Sequence, residues 1–473
     1  MNLKRKLWWA QHRADVYKYG TILSLVLIVI ISIIYFTYSK FTSTNEVTAY
    51  ETTVEPFIKN DYFIASYIDG EWSNEIPGKD DGYVVDKIVC DNGAVGTWDN
   101  EEWGINIRNA TQKIKCSVFF TIPPVPIVEK ITTLATTDTT NFATDDPDNN
   151  IRYIGANPNN YVYFNCSDYS NQSDSTCEKW RIIGVFKNVT KSDGAKEDLV
   201  KIVKDDRLNN TGISWDYKKD GVGTSTNDYG SNDWTDSQLM MMLNPTDYLK
   251  SGYTIDNNIV KDSKGQAIYQ NMGSYYNGTS GCEPASVASG ADFTCTSIDF
   301  NSTGLKNDLT RNAIESVVWN LGGGDKDMTP SGYYAAERGT SVCSGNSATW
   351  TGKIGLMYLS DYGYATSGGS TTDRATCLAK GMYNWDNSNV SDCKRKDYLY
   401  KSNYDQWTLT PHSYYSIDVF LVNGAVYGNA GRAQIVQAIL AGAVRPVAFL
   451  KSDILLSGVG DGSSNSPYRL KIE

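Results

Sequence analysis

The longest unbroken apolar run is Thr21 to Tyr38, TILSLVLIVIISIIYFTY, which holds no charge, proline or glycine. It predicts a helix almost long enough to cross a hydrocarbon core, extended by the uncharged flanks Tyr19, Gly20 and Ser39. Lys4, Arg5, Lys6, Arg13 and Lys18 precede it against a single acid, Asp15. That bias predicts a cytoplasmic N-terminus and an exported remainder. A cleaved signal would have a shorter core and small residues at its end, whereas this run ends in Tyr35, Phe36, Tyr38, Lys40 and Phe41. A buried core helix would have a polar side. The reading is a basic cytoplasmic segment at 1–19 and a single-pass anchor at 20–38.

After the anchor the pattern turns polar, and residues 39–56 read as a stalk. Residues 57–128 then carry short β-rich runs, DYFIASYID, GYVVDKIVC, WGINIRN and KIKCSVFFT, separated by turn residues. They predict a small β-sandwich-like module. Residues 129–150, rich in Thr and Asp, read as a linker too polar to fold alone. From 151 to 473 the pattern mixes strands, two helices and long loops. NYVYFNC and KWRIIGVF form a predicted strand pair, DLVKIVKD is another strand, and VRPVAFLKS is a closing one. A capping box of Thr235 and Gln238 predicts a helix through Leu243. Leu305, Leu309, Ala313, Val317 and Leu321 recur every four residues and predict a second helix up to Gly322-Gly323-Gly324. The expected fold class is α+β.

Charge and cysteines narrow the setting. The net charge is −11, and with +4 on the first nineteen residues the remainder carries −15. An acidic exterior excludes nucleic acid as a partner, because phosphates require basic surface. All nine cysteines follow the apolar run, as an oxidising compartment would have it. They group locally as Cys90 with Cys116, Cys166 with Cys177, Cys282 with Cys295 and Cys377 with Cys393, which leaves Cys343 over, read as a buried thiol in preference to an intermolecular link. No spacing suits zinc. Asp145–Asn150 and Asp461–Asn465 offer oxygen ligands but lack the calcium-loop pattern and read as turns. No metal or other cofactor is expected.

Several longer stretches resemble a known family. IRYIGANPNNYVYFN, KWRIIGVF, NDWTDSQLMMMLNP, YAAERGT, WTGKIGLMYLSDYGYATSGG and AVRPVAFLKSDILLSGVGDGSSNSPYRL resemble an uncharacterised extracellular domain family of membrane-anchored and secreted proteins from gut Firmicutes. CDNGAVGTWDNEEWGINIRNATQKIKC resembles a small β-module that stands beside it. More distantly, the order of helices, loops and late strand is similar to C-type lectin-like and formylglycine-generating-enzyme-like domains. That likeness implies a compact core with an irregular loop region as binding surface. The oxidase chemistry needs a matched reactive cysteine pair and does not carry over.

Catalytic signals are weak. Beyond the anchor the only histidine is His412, and Thr410-Pro411-His412 reads as a surface loop. Asp233, Asp236, Glu315 and Glu337 are equally well explained by caps and ion pairs, so no catalytic residue is assigned. Gly322-Gly323-Gly324 lacks the Lys-Ser/Thr of a phosphate loop. Two functions remain. The first is a cell-surface binding or adhesion module for a glycan, cell-wall polymer or protein ligand, with Trp350, Tyr358, Asp361, Tyr362 and Tyr364 as candidate ligand residues. The second is an exported hydrolase that attacks polysaccharide with carboxylates. Against the binding role stands the reading that these tyrosines cover the core.

Overall fold

The computed structural model describes residues 12–13, 17–19, 21–31, 62–110, 112–208, 212–216, 229–244, 254–256, 259–261, 276, 280–284, 295–299, 304–385, 393–424 and 431–472. Of the expected anchor, residues 21–31 are helical and exposed, and the rest lies outside the described residues, as does the stalk. Among the described residues no helix is long and apolar enough to cross a membrane. Beyond this region the molecule is sheet-rich α+β with few, short helices.

Two compact units divide the chain, Met1–Thr121 and Ile122–Glu473. The first holds a four-stranded mixed sheet in the order Glu71–Ser73, Tyr62–Ile68, Ile114–Thr121, Val84–Cys90, and a hairpin of Val95–Asp99 with Gly104–Arg108. Alternation along Ile114–Thr121 buries Ile114, Cys116, Val118 and Phe120 and leaves the residues between them more open. Cys90 and Cys116 sit opposite each other in the ladder and form a disulfide.

The second unit begins earlier than expected. Val125–Pro126 pairs with Leu455–Leu456, and the helix Ile127–Thr137 follows at once. Its Ile127 and Ile131 are wholly buried in the large core. Residues 129–150 are therefore part of this unit and not a linker. Two isoleucines one turn apart suffice to dock a Thr-rich helix, so mean polarity misjudged it.

An antiparallel sheet forms the centre of the unit. Its order is Ile314–Glu315, Val447–Leu450, Lys196–Lys204, Glu178–Thr190, Ile151–Tyr153, Phe142–Ala143. Tyr161–Phe164 pairs with the long Glu178–Thr190 strand, and Ile354–Gly355 pairs with Val447–Leu450. The expected strand pair 161–186 is present, and Cys166–Cys177 closes the loop between its members. A second, three-stranded sheet of Gln406–Pro411, Asp418–Val422 and Ala433–Gln437 stands apart in the same unit.

Both predicted helices are shifted. Ser237, not Thr235, caps Gln238–Leu243 by accepting the Met240 N–H at 3.1 Å, and Trp234–Asp236 is a separate 3-10 turn. Only Asp308–Ala313 of the expected second helix is helical; Ile314–Glu315 and Val317–Asn320 are strands. β-Branched Ile314, Val317 and Val318 suit a pleated surface, and partners in two sheets outweigh the four-residue repeat. Cys377–Cys393 is also bonded. The strand Ser280–Pro284 pairs with Cys295–Asp299, but the side chains of Cys282 and Cys295 lie outside the described residues.

Candidate ligand-binding surface

Of the aromatic residues expected to meet a ligand, Tyr358, Tyr362 and Tyr364 are inside the molecule and Trp350 is half-buried. Ile354–Gly355 is a strand as its β-branched start suggests, but Leu359–Ala365 is a helix with all seven residues buried. Tyr358 and Asp361 close its N-terminus, with the Asp361 carboxylate accepting the Tyr358 N–H at 3.0 Å. Gly363 lets the helix Pro330–Glu337 approach, since a Cβ there would lie 2.8 Å from Pro330 Cγ. The Tyr358 hydroxyl accepts the Asn320 N–H at 2.9 Å, and the Tyr362 hydroxyl donates to the Gly431 carbonyl at 2.8 Å. Tyr364 faces the Arg152 guanidinium at 5.2 Å. Trp350 is half-buried with its ring 6.0 Å from that of Trp234. None of Tyr358, Asp361, Tyr362 and Tyr364 is open to a polymer, so the expectation of a ligand face here is corrected to a core role.

Asp361 anchors a buried ion cluster. Arg152 donates to its Oδ1 at 2.9 Å and Lys201 to its Oδ2 at 2.5 Å; Arg152 also reaches Asp146 at 2.5 Å. Burial pushes the Asp361 carboxyl up, but Lys201 and Arg152 outweigh it and hold it at about 2. For Lys201 burial dominates and draws the ammonium down to about 8.

Each candidate carboxylate that is described has a structural partner of its own. Glu337 is fully buried and accepts from the Ser360 N–H at 3.0 Å, the Thr410 hydroxyl at 2.7 Å and the Ser360 hydroxyl. Burial raises its pKa. Asp233 caps the 3-10 turn, Glu315 accepts the Ser316 N–H at 3.1 Å, and the side chain of Asp236 lies outside the described residues. Asp146 and Asp461 accept backbone N–H groups two residues on, at 3.2 Å and 2.8 Å, as turn formers do. Among the described residues no group of three His, Cys, Asp or Glu is placed to hold a metal ion.

His412 is also not where its sequence context put it. It is buried, 3% exposed, and lies at the end of the strand Gln406–Pro411. Its Nδ1 accepts the N–H groups of Tyr414 at 3.0 Å and Tyr415 at 3.3 Å, which places the proton of the neutral ring on Nε2. Burial lowers its pKa, against the opposing pull of Asp325 and Asp418. The ring stacks on Phe420 with centroids 6.0 Å apart.

Beneath the loop, Asn232 Nδ2 lies within hydrogen-bond distance of the carbonyls of His412 at 2.9 Å, Tyr415 at 3.0 Å and Asp418 at 2.9 Å. Its Oδ1 accepts from Asn346 at 2.7 Å. The Cys343 thiol is buried 3.5 Å from the His412 carbonyl, as the expectation of a buried thiol has it. Gly323 and Gly324 serve the same anchor, whereas Gly322 donates to the Glu337 carbonyl at 2.9 Å. Gly324 donates to the Pro411 carbonyl at 2.9 Å, Ser413 donates to that of Gly324 at 2.9 Å, and a Cβ on Gly323 would lie 2.6 Å from Ser413 Cα.

This framework forces Tyr414 and Tyr415 outward. They are 73% and 63% exposed, the most open aromatic side chains of the described large unit. The turn after Ala433–Gln437 ends beside the same loop, through the Ala438 N–H on the Ile417 carbonyl at 2.8 Å, and carries Leu440 at 50% exposure. Ile439 donates to the carbonyl of Tyr229, itself 44% exposed. Three tyrosines and a leucine thus gather at one end of the three-stranded sheet. Sequence reasoning passed over HSYYS, although two adjacent tyrosines in a polar loop cannot both point into one core.

No family model, curated protein or solved structure matches the chain.

Proposed function

We propose that this is a membrane-anchored, outward-facing binding protein, and that its large unit holds an uncharged glycan, such as a cell-wall or host-surface polysaccharide, against Tyr414 and Tyr415. The observation that carries the reading is the exposed tyrosine pair on a loop fixed from below by His412 and Asn232. Rings cover the C–H faces of sugars and their hydroxyls meet sugar hydroxyls. A loop already held in shape loses little freedom on binding. The net charge of −15 beyond residue 19 disfavours polyanionic ligands. Three disulfides among the described residues suit an exported chain, and the apolar run 21–38 supplies the anchor. The large unit is read as a C-type lectin-like domain, with support from its short helices, its long loops and the strand Val447–Leu450 inside the sheet.

The test is an array of neutral glycans, peptidoglycan fragments and peptides probed with the full chain in detergent. Retention on a neutral glycan without release of shorter products supports the reading. Turnover of that glycan would restore the carboxylate hydrolase, and retention only on peptides would replace the glycan with a protein partner.

A further inference from the structure

Lys201 and Asp361 form a buried ion pair between two distant parts of the chain. Lys201 lies on the strand Lys196–Lys204 and Asp361 on the helix Leu359–Ala365, 160 residues apart, with both side chains wholly inaccessible to solvent. Their charged atoms are 2.5 Å apart. The rings of Phe186, Trp319, Tyr358 and Phe449 lie within 4.4 to 5.6 Å of Lys201 Nζ and keep the pair dry. A dry site makes two charges costly to keep and makes release of water easy. Arg152 holds Oδ1 and Tyr358 N–H holds Oδ2, so the carboxylate is fixed at both oxygens.

We propose that Lys201 and Asp361 condense to an intramolecular amide that ties the central sheet to this helix. A proton passes from Lys201 Nζ to Asp361 Oδ2 along their hydrogen bond. The freed amine adds to Cγ and the negative charge goes to Oδ1, which faces Arg152. The nitrogen gives up a second proton to Oδ2, the Cγ–Oδ2 bond breaks, and one water leaves. An ammonium and a carboxylate become an amide and water, with no oxidant or co-reactant. Burial draws the Lys201 ammonium down to about 8 and so brings the neutral amine closer, while Lys201 and Arg152 hold the Asp361 carboxyl at about 2, which makes the proton transfer the uphill step of the sequence. The product also keeps the cluster balanced. Two cations and two carboxylates become one of each, and Arg152 retains Asp146 at 2.5 Å. Such a link survives reduction, unlike the disulfides, and suits a protein displayed outside the cell.

The test is mass spectrometry of the full chain after reduction and denaturation. The expected protein is lighter than its sequence by one water, and digestion yields a branched peptide that joins the segments of Lys201 and Asp361. Lys201→Arg keeps the charge but should restore the full sequence mass. A wild-type chain at full mass, with Lys201 open to a lysine-specific protease once unfolded, would overturn the proposal. So would a branched peptide joining any other pair.

Discussion

His412 shows how one side chain shapes the candidate surface. Its ring nitrogen accepts two backbone N–H groups, which only an unprotonated Nδ1 can do. Because burial lowers its folded pKa below 6.5, the unfolded chain takes up the proton first as pH falls. The stability it contributes is complete above pH 6.5 and is lost as pH drops through the folded value. Asp418, raised above 3.8 by burial, works in the opposite direction. Glycan binding should therefore weaken on acidification below pH 6.5 in the wild type, as titration calorimetry would read. In His412→Asn, whose side-chain oxygen stays an acceptor, the step should vanish; an unchanged step would show that His412 does not set the loop. The residue scale is also where the sequence was least legible. Tyr358, Tyr362 and Tyr364 are chemically identical to Tyr414 and Tyr415, and only the fold separates buried from exposed.

At the scale of elements, legibility followed environment. The strands Tyr161–Phe164, Glu178–Thr190, Lys196–Lys204 and Val447–Leu450 were recognisable because β-branched and aromatic residues dominate them. Leu359–Ala365 was not, because a helix buried on every side shows no polar period and this one has a central glycine. Its position depends on Glu337, which joins it to the helix Pro330–Glu337 and, through Thr410, to the strand Gln406–Pro411. Glu337→Ala leaves buried donors unpaired and should lower stability by about 3 kcal/mol in denaturant melts. Glu337→Gln, which keeps an acceptor, should cost less. Equal losses would mean that packing volume, and not the hydrogen bonds, holds this junction.

For the whole molecule, the cysteines were the most legible feature. Three of the local pairs expected from sequence are bonded, one in the first unit and two in the second. Each closes a short loop worth about 2–4 kcal/mol, so reduction should lower the melting temperature of both units. In the folded, unreduced chain an alkylating reagent should leave Cys343 unmodified, and rapid labelling of that thiol would contradict its burial. Unit boundaries were harder to read, because the docking of Ile127 and Ile131 is a long-range event that a polar composition hides. The tyrosine pair above His412 carries the proposed binding role. Its most direct test is calorimetric binding of the full chain to the best neutral glycan, beside the variant Tyr414→Ala/Tyr415→Ala, with melting followed for both. Loss of two stacking rings should weaken binding by at least tenfold, about 1.4 kcal/mol, with the melting temperature almost unmoved. Undiminished binding by the variant would contradict the account, and so would a loss of binding matched by a fall in melting temperature.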